Sequence, residues 1–436
     1  MAKLPLDGIR VLDMCPMFAG NFACGILGDL GAEVIKVESI QYWQYGCRGV
    51  IARHTKESFG KLKGGDASWG YPNWDPGPDP WNRGGAFHTL SRNKISMTVD
   101  LRQPSGVEVF KRLIKVSDVF VESNASTLVR RLGIDYPALA EVNPRLIMVR
   151  AAGYGHSGPY EDRPAMAQTL EAFCGHVLLR GSPDVPPTEV PASITSDGTA
   201  GVAMALSAIM ALHHRKNTGK GQVIDLSQLE NFMPMLGYFF MDYIFNKREH
   251  SPVGDRHINA APCGCYPCAG DDKWINITVH NDAEWEGFCR ALGNPEWTRD
   301  PELATTVGRF KKQDEMDQRI SEWTRTRDPY EVMRVMQEEE VPCGPVLASK
   351  DTPEDPQLLA RDHHEEVTPP GGWSYLFPGS PLRMSGSGRL RVRYPAPNLG
   401  QHNEYIYKEL LGYTDEEYAR LEKEGHIGNE PAPHIP

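Results

Sequence analysis

The sequence predicts an α/β protein whose main body is a parallel sheet with helices on both faces, together with a smaller α+β region. Three observations carry this. Strand–helix–strand units recur through the first 150 residues, and repeated βαβ units imply a parallel sheet. After residue 226 short strands and helices mix without that repeat. The composition is that of an ordinary globular chain, 436 residues with 40% apolar and 24% charged, too long for one small core.

In "GIRVLDM", Ile9, Val11 and Leu12 read as a strand, and "GILGDLGAEVIKVE" passes from helix into a second strand at Val34, Ile35 and Val37. Gly25, Gly28 and Gly31 stand three apart, whereas a dinucleotide fingerprint needs G-x-G-x-x-G at the strand–helix turn. NAD is therefore rejected, and the glycines are read as sites of close helix packing. Residues 40–88 are rich in Gly, Pro and Trp and show no period, so they are expected to form a long ordered loop. Trp43, Trp69, Trp74 and Trp81 there either pin the loop to the body or wall a pocket for an apolar substrate. "SMTVDLRQPSGVEVFKRLIKVSDVFVES" gives a strand, a helix opening after Pro104-Ser105, and another strand; "NPRLIMVRAAGYG" adds one more.

"RGSPDVPPTEVP" (180–191) is a proline-rich connector. From Gly201 to Leu212 there is no charge, and the run reads as a buried helix. "GQVIDLSQLENFMPMLGYFFMDYIF" is a strand and then a Met/aromatic helix suited to a core or a subunit interface. "WINITV" is a strand, and "NDAEWEGFCRALG" a helix behind an Asn/Asp cap. "DQRISEWTRTR" and "PYEVMRVMQEEEVPCGPV" continue as α+β. "SPLRMSGSGRLRV" reads as a strand and "NEYIYKELLGYTDEEYARLEKEG" as helices, with the tail "NEPAPHIP" expected to be loose.

The formal net charge of −11 has no basic block to offset it, which argues against a nucleic-acid partner. "MAKLPLDGIRVLDM" lacks a signal-peptide apolar stretch, and no apolar run of membrane-spanning length is expected, so the location read from the sequence is cytoplasmic. Nine cysteines, an odd number without framework spacing, fit reduced thiols. Cys263, Cys265 and Cys268 lack a second C-x-x-C or a His pair, and are read as packed thiols rather than a zinc site; no metal is expected.

Chemistry has few candidates. "GHSGP" (155–159) is not a nucleophile elbow, and no H-E-x-x-H is present. Cations for an anionic ligand stand after strands: "SRNK" (91–94), Arg102, and Arg130-Arg131. Asp197 precedes the uncharged run. By itself it reads either as an N-cap or first-turn acid of that helix, or as a catalytic carboxylate.

"LDGIRVLDM…AG…LGDLGAEVIKVE", "SRNKISMTVDL…GVEVFKRLIKVSDVFVES", "LGIDYPALAEVNPRLIMVRAAGYGHSGPYEDRP" and "DGTAG…HHRKNTGKGQVIDLS" together resemble, in order and over nearly the whole chain, the class III CoA-transferase family. The resemblance implies a large Rossmann-like domain formed from both chain ends, a small domain between, and two ring-shaped subunits interlocked as a homodimer; a heterodimer with a related subunit is the alternative. The domain boundaries expected on this basis are 1–205 for the first part of a large CoA-binding domain, 206–225 for a linker, 226–345 for the small domain, and 346–436 for the return. The resemblance implies coenzyme A as the carried group, an acyl-CoA donor, a carboxylic-acid acceptor, and Asp197 as nucleophile. The small residues Gly198, Ala200 and Gly201 would admit substrate closely, and backbone N–H groups at the helix start would stabilise oxyanions. Implied CoA contacts are Phe18, Ala19, Val99, Asp100, Leu101, Arg102, Asn124 and Arg131, with Arg163 and Met166 flanking the thioester. The glycine-rich loop of formyl-CoA transferases is absent, the matching region reading "NAAPCGCYPC". A medium-sized acceptor, aromatic or branched, is favoured over oxalate, with succinyl-CoA or a similar donor. The rival in the same family is a 2-methylacyl-CoA racemase, but at its second base this chain carries Met166 and Ala167.

Overall fold

In the computed structural model, residues 3–43, 46–49, 51–58 and 70–436 are described. They form two compact units: Met1–Cys174 with Ala192–Gly237 and Asp362–Pro436, and Gly175–Pro191 with Tyr238–Arg361.

The larger unit is built on six parallel strands, β1 (Arg10–Met14), β2 (Glu33–Glu38), β3 (Lys94–Thr98), β4 (Val119–Glu122), β5 (Ile147–Ala152) and β6 (Gln222–Ser227). Their order is β3-β2-β1-β4-β5-β6, all neighbours parallel. This is a doubly wound sheet whose order reverses between β1 and β4. Adjacent strand residues serve opposite faces. Leu12, Ile35 and Phe120 pack with Phe110, Leu113 and Ile114 of helix α2 (Pro104–Lys115) and with Ile406 and Tyr407 from the far end of the chain. Val11, Val34, Val121 and Val149 pack with Ala23, Cys24 and Leu27 of α1 (Phe18–Asp29) and with Met204, Ala205 and Ala208 of the long helix described next. The C-terminal segment belongs to this unit as expected: the Tyr407 hydroxyl donates to the Thr98 carbonyl oxygen at 2.8 Å.

Several expectations are corrected. Residues 206–225 are not a linker. They are the second half of one 24-residue helix, Thr195–Thr218, and most of strand β6. Main-chain pairing of β6 with β5 holds them in the sheet. The smaller unit starts later, at Tyr238, runs to Arg361, and also takes in the 175–191 connector. By length and composition alone the Thr195–Thr218 helix is apolar enough to cross a membrane. Here Ala200, Met204, Ala208 and Ala211 bury one stripe against α1 and the sheet, while Val202, Leu206 and Met210 on the other stripe are exposed. A Cβ on Gly201 would meet the Ala19 carbonyl oxygen at 2.8 Å, and one on Gly28 the Asn93 carbonyl oxygen at 2.9 Å, so both positions allow backbones to approach closely. The tail is not loose. The Ala52 and Arg53 amides donate to the Pro436 carbonyl oxygen at 2.9 and 3.2 Å, and Ala432 and Ile435 are buried beside Ala52.

The smaller unit has an antiparallel sheet of β7 (Cys263–Pro267), β8 (Trp274–Thr278) and β9 (Cys343–Val346). Its core joins Ile275 and Ile277 to Phe288, Ile320 and Met336 from three helices. Cys263 is buried with its sulfur 3.6 Å from the Thr278 hydroxyl, Cys268 lies in the core, and Cys265 is exposed. Among the described residues the grouping with metal-ligand geometry is instead Asp13, Cys15 and Cys24, and there the Lys94 ammonium already sits 2.7 Å from the Asp13 carboxylate.

Candidate functional site

In a doubly wound sheet, ligands collect beyond the carboxyl ends of the strands where the order reverses. A cavity of about 610 Å³ opens at that place. It is bounded by Met14 at the end of β1 and Met17 beyond it, Ser39 after β2, Val99 to Arg102 after β3, Asn124 after β4 and Gly153 after β5. Ten of the eleven residues expected at a site lie on its wall: Ala19, Val99, Asp100, Leu101, Arg102, Asn124, Arg131, Arg163, Met166 and Asp197. Phe18 does not. Its ring turns toward Phe22, at a 5.8 Å centroid separation, and packs against the cluster of Cys47, Phe87, Leu90 and Ala396.

The cations differ in what they have left to offer. Arg92 is buried against Asp29 at 2.7 Å, and Lys94 against Asp13, so the "SRNK" stretch is committed to the interior. Arg130 stands 4.0 Å from Asp162. Arg102 faces the cavity but is tied to Asp100 at 2.9 Å and to the Gln41 carbonyl oxygen at 3.0 Å. Burial of Asp100 works against its charge, but hydrogen bonds from Arg102 and Gln103 outweigh it and hold the carboxyl below the usual range. Arg131, from the short helix Ser126–Arg131, and Arg163 are exposed on the cavity wall and have no carboxylate partner among the described residues. Asn124 is a latch: its side-chain amide donates to the Met14 carbonyl oxygen at 3.0 Å, and its backbone N–H to Glu122 at 2.9 Å. It joins the ends of β1 and β4.

Two helices set Asp197. α3 (Ala167–Phe173) opens behind Met166, whose backbone N–H donates to the Thr169 hydroxyl at 2.9 Å. α4 (Thr195–Thr218) follows Ile194, a capping position with no side-chain hydrogen bond. Asp197 is therefore a first-turn residue of α4, not its cap. The orphan amides of that turn are taken up: Thr195 N–H by the Ser193 hydroxyl at 3.2 Å, Ser196 N–H by the Glu171 carboxylate at 3.1 Å, and Asp197 N–H by the Ile194 carbonyl oxygen at 3.1 Å. They are not a ready oxyanion hole. Ala200 is fully buried and Gly201 is filled by α1, so only Gly198 of the three small residues has open space about it. The Asp197 carboxyl is pushed up to about 6, first by burial and then by the neighbouring charge of Glu171. This outweighs the helix dipole, which favours a carboxylate at that end.

Two residues of this region were not foreseen: Glu171 and Gln228, the latter on the cavity wall at the start of α5 (Gln228–Phe232). The signal for Glu171 was its isolation, the one acid in "AQTLEAFCGHVLL". None of Trp43, Trp74 and Trp81 lies on the wall of this cavity, and Trp69 falls outside the described residues. Trp81 is buried with Ile40 and Leu399, so it anchors the loop.

The profile of CoA-transferase family III matches residues 6–403. The succinyl-CoA–D-citramalate CoA-transferase of Chloroflexus aurantiacus is 33% identical over 96% of this chain and 97% of its own length. A formyl-CoA:oxalate CoA-transferase of Rhodopseudomonas palustris is 29% identical, with 97% of each chain covered. Among solved structures, a CAIB/BAIF family protein from Brucella suis superposes with a TM-score of 0.77 at 27% identity, over 94% of this chain and all of that one. Sequence over nearly its full length and fold agree that this chain belongs to CoA-transferase family III and is a CoA-transferase of the CaiB/BaiF type.

Proposed function

We propose that the chain moves coenzyme A from an acyl-CoA to a free carboxylic acid, with Asp197 as the covalent nucleophile. One observation carries the reading: the carboxylate with the raised pKa opens on the same cavity as the unpaired Arg131 and the ends of β1, β3 and β4. An Asp197 oxygen attacks the acyl carbonyl carbon, the C–S bond breaks, and CoA thiolate leaves a mixed anhydride. The thiolate then attacks the Asp197 carbonyl carbon. The donor acid departs as its carboxylate, and an aspartyl-CoA thioester remains. An acceptor carboxylate reverses the two steps, releasing the new acyl-CoA and free Asp197. Acid and thioester are exchanged throughout, so the cycle needs no outside energy source. The Gln228 carboxamide, on the same cavity wall, is the side-chain donor we assign to the developing oxyanions. Arg131 meets the anionic end of CoA, and Arg163 stands toward the acyl end.

The racemase reading needs a second base. Met166 and Ala167 supply none, and Glu171 is fully buried and off the cavity wall. For the acids, the wall that Asp197 shares offers Met166, Leu170 and Arg163 rather than tryptophan, which favours a small aliphatic acid with a further anionic group over an aromatic one. The names of the relatives, with succinyl-CoA and citramalate or formyl-CoA and oxalate, point the same way. An interlocked homodimer belongs to the proposal. The exposed apolar stripe Val202, Leu206 and Met210 and the exposed Tyr238, Ile244 and Phe245 give it surface to bury.

The test is transfer measured by mass spectrometry with succinyl-CoA and formyl-CoA as donors and citramalate, succinate, oxalate and aryl acids as acceptors. Hydroxylamine trapping and peptide mapping follow. The expected result is transfer among small dicarboxylic acids with the adduct on Asp197. Full turnover with Asp197 unmodified overturns the mechanism. Light scattering of the purified protein tests the dimer.

A further inference from the structure

Glu171 is an expensive residue to keep. It is fully buried in α3, and a buried carboxylate needs a reason. It stands off the cavity wall, so it touches no substrate. Among its contacts is the head of the next helix: one carboxylate oxygen accepts the Ser196 N–H at 3.1 Å. Ser196 is itself fully buried, and its hydroxyl lies 3.5 Å from the Ala167 carbonyl oxygen, so α3 and the first turn of α4 are tied at two points. The residue after Ser196 is Asp197.

We propose, resting on the reading of Asp197 as nucleophile, that Glu171 is its positioning residue: a cap supplied from another helix, which fixes the first turn of α4 and sets a negative charge beside the reacting carboxylate. The missing side-chain cap at Ile194 is what leaves the Ser196 amide for Glu171 to take. A neutral acceptor would serve a cap equally well. The charge has a separate consequence. It makes the ionised Asp197 less stable and more basic, and it is relieved when Asp197 becomes a neutral anhydride or thioester. Against the next turn of α4, α1 presents the uncharged Ala19 and Phe22 at Gly201 and α5 the neutral Asn231 at Thr199, while the neutral Gln228 shares the cavity wall with Asp197. The other ionisable groups on the cavity wall are Glu38, Asp100, Arg102, Arg131, Glu161 and Arg163. Glu171 is the one whose charge is felt at Asp197.

The experiment separates cap from charge. Glu171→Gln keeps an oxygen for the Ser196 N–H and removes the charge, whereas Glu171→Ala removes both. The readout is the acidic limb of kcat/KM, with succinyl-CoA or formyl-CoA as donor, whichever is turned over. At pH 5, E171Q should retain a fraction of its plateau activity roughly threefold to fivefold greater than the parent does, because its nucleophile ionises lower. E171A should lose kcat at every pH and also lose thermal stability. A folded E171Q with the parent's limb overturns the inference, as does a parent limb in the ordinary carboxylate range, whatever the variants do. Hydroxylamine trapping on the parent distinguishes the two readings. Turnover with no adduct at Asp197 removes the nucleophile and this inference together, whereas an adduct with an unmoved E171Q limb removes only the role of Glu171.

Discussion

Asp13 and Asp197 belong to the same unit and both lose water on folding, the first wholly and the second in part, yet their surroundings push them in opposite directions. Asp13, near the end of β1, is fully buried. Lys94 lies 2.7 Å away, Lys36 lies 3.7 Å away, and the Cys15 N–H donates to its other oxygen at 3.0 Å. Burial alone would raise its carboxyl, but the two ammonium groups outweigh burial and hold it below the usual range. Asp197 is only half-buried, accepts no hydrogen bond from the described residues, and has a carboxylate for a neighbour. The first arrangement satisfies a charge and locks β1, β2, β3 and α1 together. The second leaves a charge unsatisfied and open to a cavity. A carboxylate surrounded by ammonium groups is structural; one short of partners and facing a pocket is available for reaction.

The sharpest way to break this contrast is to delete each acid and read both activity and stability. Asp197→Ala should reduce kcat by three orders of magnitude or more, roughly the cost of losing a covalent nucleophile. Its melting temperature should stay at or slightly above the parent's, since an unsatisfied charge is removed. A variant with more than a tenth of parental kcat would end the nucleophile reading. Asp13→Ala should do the reverse, destabilising the protein by about 3–5 kcal/mol because two buried ammonium groups lose their counter-ion. Denaturant unfolding measures it, and a loss under 1 kcal/mol would show the network to be dispensable.

The pH dependence sharpens the comparison. Asp197 must be ionised to attack, so kcat/KM should fall about tenfold per unit below pH 6 and flatten above it. The linkage signs of the two acids are opposite. A carboxyl raised in the folded state gives stability below its unfolded pKa that is lost as pH rises toward 6. One lowered in the folded state gives stability above the unfolded pKa that is lost on acidification. Asp197→Asn should therefore remove a decline in melting temperature between pH 4 and 6 that the parent shows, while Asp13→Asn should blunt the parent's acid lability below pH 4.

Smaller effects concern the cations and the loop. Arg131→Ala should raise KM for acyl-CoA about tenfold with little change in kcat, because phosphate binding is common to ground and transition states. Arg102→Ala should do less, since Asp100 already neutralises Arg102. A fall in kcat alone for R131A would move the residue into the chemistry. Trp74→Ala, at a side chain 57% exposed and off the cavity wall, should change stability by under about 0.5 kcal/mol and leave acceptor choice unchanged. A changed acceptor preference would restore the loop to the site.

Local pattern was enough for much of the molecule. The apolar runs in "RVLDM" and "EVIKVE", the proline that opens "PSGVEVFKRLIK" and the Asn281 cap on 282–291 are written in neighbouring residues, and the strands and helices form there. Arg102 and Arg131 stand out locally as cations after strands, whereas Asn124 and the role of Asp197 were reached only through the resemblance to the family. What tertiary structure alone decided is partnership. Arg92, Arg102 and Arg131 look alike in sequence, yet one is buried on Asp29, one is tied to Asp100, and one is left for a ligand. The tail looked loose because its anchors, Ala52 and Arg53, are nearly 400 residues away. The local pattern of 206–225 already read as helix and strand, and the linker came only from the boundaries that the resemblance implied; pairing of β6 with β5 is what assigns the segment to the sheet. The raised pKa of Asp197 depends on Glu171, 26 positions earlier, and no periodicity joins the two. A chain's propensities are local, whereas burial and Coulomb interaction depend on distance through space, and only folding sets that distance.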